Sequence, residues 1–286
     1  MSKNKKRLLA GLAAAALILT ACGRSEQAEE QTDIVRLGIV GSIYEELWAP
    51  AQQKLRAEGI DLQLVTFSDY VMPNKALAEG EIDLNAFQHR IYLQGEQESH
   101  GYAIQNIGNT FVNPLNLYSK KISSVGELHD GDIVAIPNDA TNGGRALNVL
   151  ADAGLIVLRE DAGFSPTLRD IEHYRVGIRI EELAANTIPA VLPDVTAAVI
   201  TDNYALDFGL NAEDAIFFDT NLEQKEYWNL IAARTADLDD PARAAVYRSV
   251  VEAFQSPETA QLLENRYSGY FIKAGWEEEL LRAPET

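Results

Sequence analysis

Cysteine is almost absent, with one residue, Cys22, in 286. A single Cys closes no internal disulfide, which excludes the disulfide-stapled scaffolds of small secreted domains. Histidine is also scarce. His89, His100, His129 and His173 are scattered, without the short spacings that bring imidazoles onto one zinc ion. No Gly-x-Ser-x-Gly elbow is present. No Lys and Ser/Thr pair follows the Gly143-Gly144 step, so a nucleotide phosphate loop is excluded. Neither a metal nor a cofactor is expected, and the many acids show no reason to pair any two as acid and base, so the chain does not read as an enzyme. Basic charge is short too: 24 Lys and Arg stand against 43 Asp and Glu, a net charge of -19. Such a surface repels nucleic acid and anionic membranes, and its plain meaning is solubility. Finally, no apolar run reaches the roughly 20 residues that span a bilayer.

The longest apolar run, Leu8–Leu19, is informative because it is short. It follows the basic stretch Lys3, Lys5, Lys6, Arg7 and ends in Leu19-Thr20-Ala21-Cys22. A basic start and a short apolar core make a secretory signal peptide, residues 1–21. The closing tetrapeptide looks like a bacterial lipobox, which would make Cys22 the lipidated first residue of the mature protein. An exported chain with one leftover Cys needs a use for it, and two or more acyl chains hold a protein to a membrane far more firmly than one. Residues 22–33, polar and acidic, read as a flexible tether. Residues 1–21 carry four basic and no acidic side chains, so the mature net charge falls from -19 to -23. The expected localisation is exported, anchored by lipid on the outer side of the cell membrane.

The mature part alternates strands and helices. Ile34–Val40 is a β-branched run, and Ser42 with Glu45 reads as a capping box opening a helix that Gly59 ends. Ile60–Phe67 is the next strand, completing a βαβ unit and implying a parallel sheet. A helix over Pro73–Ala78, a short strand over Ile82–Phe87 and a helix from His89 follow. Ser124 and Glu127 read as another capping box. Further strands are expected at Pro114–Ser119, Ile133–Ile136, Val176–Ile180, Val195–Ile200, Ala215–Phe218 and Tyr227–Ala233. A helix opens at Thr141 or Asn142, and a short one runs from Asn203 to Gly209. Two helices close the chain behind Asp240-Pro241 and Ser256-Pro257. The class is α/β.

Four segments stand out for chemistry. Thr66–Leu77 is the first. The second, Asn85–Leu93, sets Phe87, His89 and Tyr92 where a strand turns into a helix, the end of an open α/β sheet at which ligands bind. His89 taken alone reads equally as a hydrogen-bonded structural histidine. The third, Pro137–Leu147, follows a strand and opens a helix. Gly143 and Gly144 would leave first-turn amides uncovered, and such amides bind anions. Arg145 sits in that first turn, where the helix dipole disfavours a cation. Either it grips a carboxylate ligand or it bends to an acid of the protein surface. The fourth segment holds Asn203 and Asn229. Asn donates and accepts at once, which suits an amino acid's charged ends, although Asn203 also fits a helix cap.

Together the stretches FSDYV-PNKAL (Phe67–Leu77), NAFQH (Asn85–His89), IGNT (Ile107–Thr110), IPND-TN-GRAL (Ile136–Leu147) and NYAL (Asn203–Leu206) resemble the methionine-binding lipoprotein family, the MetQ/NlpA group of ABC-importer substrate-binding proteins. The similarity runs from Arg36 to Trp276. It implies a two-lobe periplasmic-binding-protein-like fold (type II) with the ligand in the cleft and two crossings between lobes. The crossings are expected near Asn109–Leu117 and Val199–Tyr204, giving lobe 1 as 34–112 with 203–286 and lobe 2 as 113–202. It further implies an apolar pocket on Tyr70, Phe87, His89 and Tyr92, a carboxylate clamp on Arg145 with Asn142, and ammonium and backbone contacts on Asn203 and Asn229. The implied ligand is methionine, a related amino acid or a Met-containing dipeptide. The implied partners are the permease and ATPase subunits of an ABC transporter, with membrane contact through the lipid alone, and the chain itself is expected to be a monomer. Thr201, Ile91, Ala140, Gly144 and Trp228 depart from the usual pattern and bear on the exact ligand. A surface adhesin on the same anchored fold is the alternative function.

Cys22→Ser removes the single attachment atom for lipid, and nothing else in the mature chain is apolar enough to anchor it. The variant is expected in the soluble fraction of cell lysates. Its persistence in the membrane pellet would overturn the lipobox reading.

Overall fold

The structure, a computed structural model, describes residues 32–281; the signal peptide, Cys22 and the tether up to Gln31 lie outside them. In chain order the first half runs β1 (Asp33–Val40), α1 (Ile43–Ala57), β2 (Ile60–Phe67), α2 (Met72–Glu79), β3 (Leu84–Asn85), α3 (Arg90–His100), β4 (Ile104–Asn109), β5 (Phe111–Val112), β6 (Leu115–Tyr118), β7 (Ile133–Pro137) and α4 (Ala140–Asp152). The second half runs β8 (Ile156–Leu158), β9 (Ile171–Tyr174), β10 (Arg179–Leu183), α5 (Ile188–Val191), β11 (Ala197–Thr201), α6 (Asp202–Asp207), β12 (Ala215–Phe217), β13 (Leu230–Arg234), α7 (Pro241–Phe254), α8 (Pro257–Arg266) and β14 (Ile272–Lys273).

Two five-stranded sheets organise these elements, in the orders β2-β1-β3-β13-β4 and β10-β7-β11-β6-β12. Each sheet is mainly parallel, with one antiparallel strand borrowed from just beyond a crossing: β13 in the first, β6 in the second. Strand β1 is buried on both faces, with Leu37 and Ile39 fully covered on one and Val40 on the other, as a central parallel strand requires. Its partners include Leu47 and Trp48 of α1 and Phe254 of α7. In the second sheet Val134 and Ile136 pack with Leu147 and Leu150 of α4. A third cluster joins Val40, Phe87 and Tyr92 to Tyr118, Ile200 and Tyr204, so apolar packing is continuous from one sheet to the other. This is the two-lobe, mixed α/β architecture expected, and residues 110–114 make the first crossing between the sheets.

The second crossing is not where the sequence placed it. Ala215–Phe217 pairs antiparallel with β6, at the edge of the second sheet. The chain therefore returns to the first sheet through residues 218–229, not through Val199–Tyr204, and the second sheet extends past the expected boundary at residue 202. The pattern change at Asn203 marks a helix start rather than a crossing. Strand limits differ elsewhere as well. The expected strand Val176–Ile180 begins only at Arg179, as β10; residues 176–178 connect β9 to β10, where the Gly177 amide donates to Asp130 and its carbonyl accepts from Gly131.

Two expected capping boxes are replaced. Ser42 makes no cap bond to its own helix. The Asp207 carboxylate instead accepts from the Ser42 and Ile43 amides at 3.0 and 3.1 Å and from the Ser42 hydroxyl at 2.7 Å. Gly41 makes this possible: its φ is 88°, and a Cβ there would stand 2.4 Å from Asp207 Oδ2. Glu127 likewise reaches the Ser123 amide, one residue earlier than expected. The caps at Asp240 and Ser256 form as read, onto the Ala242 and Thr259 amides. Asp207→Ala should destabilise the protein by about 1 kcal/mol, the usual worth of an N-cap. Urea titration measures this, and an unchanged midpoint would show that the contact contributes nothing.

Candidate functional site

The first wall of the site is built where β3 ends. His89 is the N-cap of α3, and its Nδ1 accepts from the Tyr92 amide at 3.1 Å. That bond fixes the tautomer: Nδ1 is the acceptor, so Nε2 carries the proton and donates to Asn142 Oδ1 at 3.2 Å. The imidazole is buried. Burial first, then the nearby Arg145 guanidinium, pushes its pKa down to about 3. His89 is thus neutral at physiological pH, and it serves both the structural and the pocket-lining roles that the sequence left open. The turn before it is held by an amide network, in which Gln88 and Asn85 bond Asn74 at 2.7 and 2.9 Å.

Phe87 and Tyr92 stand beside Tyr70, which comes from the loop after β2. The three ring centroids lie 5.8–6.2 Å apart, a spacing at which aromatic rings attract. The Tyr92 hydroxyl donates to the Tyr70 carbonyl at 3.0 Å. The Tyr70 hydroxyl lies 2.6 Å from Asn203 Oδ1 and 3.0 Å from Thr201 Oγ1. Asn203 Nδ2 in turn donates to the Val40 carbonyl at 3.3 Å. Asn203 lies in the first turn of α6, which follows Thr201 as N-cap, so its side chain crosslinks the lobes rather than capping the helix.

The second wall is the start of α4, and here one expectation fails. The first-turn amides are not open. Asp139 is the N-cap, its carboxylate accepting from the Asn142 amide at 2.8 Å and from Asn142 Nδ2 at 3.1 Å. The glycines serve close packing instead. A Cβ on Gly143 would meet the Pro137 carbonyl oxygen at 2.7 Å, and one on Gly144 would meet Ser165 Cα at 2.5 Å.

Arg145, one turn in, is buried to 3% exposure. Its Nη2 donates to Asp219 Oδ2 at 2.6 Å and to the Asn113 carbonyl at 2.8 Å. The Tyr227 ring covers its face at 4.4 Å. It does bend to an acid, but a buried one, from the return crossing.

The walls leave a cavity of about 20 Å³ between them, room for little more than one water molecule, so they stand closed on each other. All eight residues expected at the site line it: Tyr70, Phe87, His89, Tyr92, Asn142, Arg145, Asn203 and Asn229. Tyr44, Gln88, Asn113, Leu115 and Thr201 line it too. Of these only Thr201 was noted in the sequence, as a departure; Asn113, next to Pro114 at the first crossing, carried a signal that could have found it. Asn113 Oδ1 accepts from Asn229 Nδ2 at 2.7 Å, joining the two crossings. The rings crowd one end, while Arg145 is the one charged group of the lining. Among the described residues no His/Cys/Asp/Glu group could hold a metal ion.

A profile of the NlpA lipoprotein family matches residues 35–275. The chain belongs to the NlpA lipoprotein family. It is 39% identical to the D-methionine-binding lipoprotein MetQ of Escherichia coli K12 over 280 residues, 96% of this chain and 99% of that one. A nutrient-binding protein from Burkholderia cenocepacia, solved bound to methionine, superposes with a TM-score of 0.78 at 37% identity, covering 84% of this chain and 100% of that one. The substrate-binding protein of a methionine transporter from Streptococcus pneumoniae superposes at 0.79 with 30% identity, over 85% and 96%. In this NlpA-family chain the aromatic and polar positions that the resemblance pointed to are gathered on one cavity.

The neutral imidazole at the centre of that cavity has a pH signature. The folded state keeps His89 unprotonated down to about pH 3, whereas the unfolded chain protonates it near 6.5. Between those values the unfolded state binds the extra proton, so stability is intact above pH 6.5 and is lost as pH falls. His89→Asn keeps a capping acceptor and does not titrate. Relative to it, the wild type should lose up to about 1.4 kcal/mol per pH unit between pH 6 and 4. Urea unfolding of both proteins across that range measures the difference, and parallel curves would contradict it.

Proposed function

We propose that this chain is the lipid-anchored substrate-binding protein of an ABC importer. It captures methionine, or a closely related amino acid or Met-containing dipeptide, outside the cell membrane and delivers it to the permease and ATPase subunits. It acts as a monomer held to the membrane through Cys22. One observation carries the reading: a single cavity has an aromatic end and an end closed by one buried guanidinium. That asymmetry matches a small ligand with an apolar side chain and a carboxylate. In this reading Tyr70, Phe87 and Tyr92 pack on the thioether chain, Arg145 meets the carboxylate, and Asn203 and Asn229 accept from the ammonium. The names of the relatives point to the same ligand.

Capture also requires opening. His89 to Asn142 and the Asn186 side-chain bond to the Ser68 carbonyl, 3.2 Å, join the halves on either side of the cavity. We infer that the lobes open by bending at residues 110–114 and 218–229, which releases those bonds, and close again over the ligand.

Methionine should raise the melting temperature, since a ligand that binds only the folded state stabilises by about 2.7 kcal/mol at a hundredfold excess over its dissociation constant. A panel of amino acids in both enantiomers, read by scanning calorimetry, tests the ligand. A shift for another amino acid alone would keep the class and replace methionine. Arg145→Ala should weaken methionine binding by about a hundredfold or more. Arg145→Lys should recover little, because an ammonium lacks the planar grip. The buried pair with Asp219 adds a cost in stability: leaving that acid unpaired should destabilise the fold by about 3–5 kcal/mol. Calorimetric titration and urea unfolding separate the two effects. Unchanged affinity would remove Arg145 from the site.

A further inference from the structure

We propose that Asp219 determines which ionic form of the ligand the cavity accepts: by neutralising Arg145 from behind, it selects a net-neutral zwitterion over an anion with the same side chain. The inference rests on the reading of the cavity as an amino-acid site.

Asp219 does not line that cavity. It stands on the far side of the guanidinium, 1% exposed, with Oδ2 at 2.6 Å from Nη2. No carboxylate lines the cavity at all, so the ammonium of an amino acid would meet neutral acceptors alone. Two other acids stand nearby but outside the lining: Asp139 caps the start of α4, and Asp202 is fully buried with both oxygens unpartnered, burial raising its pKa. Arg145 and Asp219 cancel as a pair, so the polar end of the cavity presents no net charge of its own. A zwitterion adds none. An anion leaves one uncompensated charge in a low-dielectric cavity, which is costly.

Asp219 acts through charge more than through position. Arg145 keeps its place without it, held by the Asn113 carbonyl and the Tyr227 ring. Asp219→Asn also retains an oxygen for the Leu115 amide, which Asp219 accepts at 3.2 Å. The variant thus turns a neutral site into a cationic one of nearly the same shape.

The test compares methionine with its hydroxy analogue, 2-hydroxy-4-(methylthio)butanoate, which has the same side chain and carboxylate but no ammonium. Titration of the wild type should give at least about tenfold tighter binding of methionine. In Asp219→Asn the ratio should move toward the hydroxy acid by about tenfold or more, whatever the change in melting temperature. Methionine amide, a cation, should lose affinity in the variant. A merely structural Asp219 would weaken all three ligands together, and an unchanged ratio overturns the proposal. Should the variant not fold, the wild type still decides: binding the hydroxy acid as tightly as methionine overturns it too. A wild type that binds none of the three refutes the amino-acid reading instead.

Discussion

A guanidinium buried to 3% exposure needs a counter-charge, and the middle of this protein is arranged around supplying one to Nη2, although Nε stays without a partner. Arg145 is fixed by α4. Its partners come from elsewhere: the Asn113 carbonyl from the first crossing, and the Asp219 carboxylate and Tyr227 ring from the return crossing. Asp219 also accepts from the Leu115 amide, and its own amide donates to Asn116 at 3.0 Å. Both connections between the sheets are thereby tied to one cation in the second lobe. If either moved away, a charge would be left in the interior with too few donors or acceptors, so the ion pair sets the separation of the crossings as much as it shapes the cavity.

The opposite end of the cavity is held by neutral groups. The Asn74, Asn85 and Gln88 amides saturate one another beneath the turn into α3. The aromatic rings above them gain mainly from burial and mutual contact. The cavity is therefore polarised: a charged knot at the hinge end, an uncharged amide and ring layer at the other. A ligand with one carboxylate and one apolar chain has one preferred orientation in it, and that orientation follows from the two walls before any individual contact is counted.

Local signals in the sequence were sound where the interaction was local. Pro241 and Pro257 behind Asp240 and Ser256 marked two helix starts correctly, and the β-branched runs of β1 and β2 marked a parallel pair. Long-range competition defeated them elsewhere. Ser42 with Glu45 has the right spacing for a capping box, but Asp207, 165 residues from Ser42, takes the Ser42 amide and the Ile43 amide beside it. The glycines before Arg145 looked like an anion loop, whereas Asp139 had already filled the helix start and the space they leave is taken by Pro137 and Ser165. Ala215–Phe217 carries no mark of which sheet it joins. Asp219 and Tyr227 sit in unremarkable local sequence, and their importance exists only because Arg145 comes to them in space. Of the eight lining residues expected, Phe87, His89, Tyr92, Arg145, Asn203 and Asn229 stood out on physical grounds and Tyr70 and Asn142 came through the resemblance; the reason given for Arg145 is one that the structure revises.

The bonds between the two walls allow one assignment of protons and no other. Tyr92 donates its amide to His89 Nδ1, so Nε2 must donate to Asn142 Oδ1; the Asn142 amide nitrogen must then point at Asp139, where it finds the carboxylate that caps α4. Each link orients the next, from the cap of α3 in one lobe to the cap of α4 in the other. A protonated imidazole would still donate from Nε2, but its Nδ1 would lose the lone pair that caps α3. The neutral state imposed by burial beside Arg145 is therefore a condition for the cap of α3, on which the orientation of the ring toward Asn142 depends. The same guanidinium that ties the crossings together on one side keeps the imidazole uncharged on the other, which makes closure of the cavity and the charge at its polar end a single electrostatic problem.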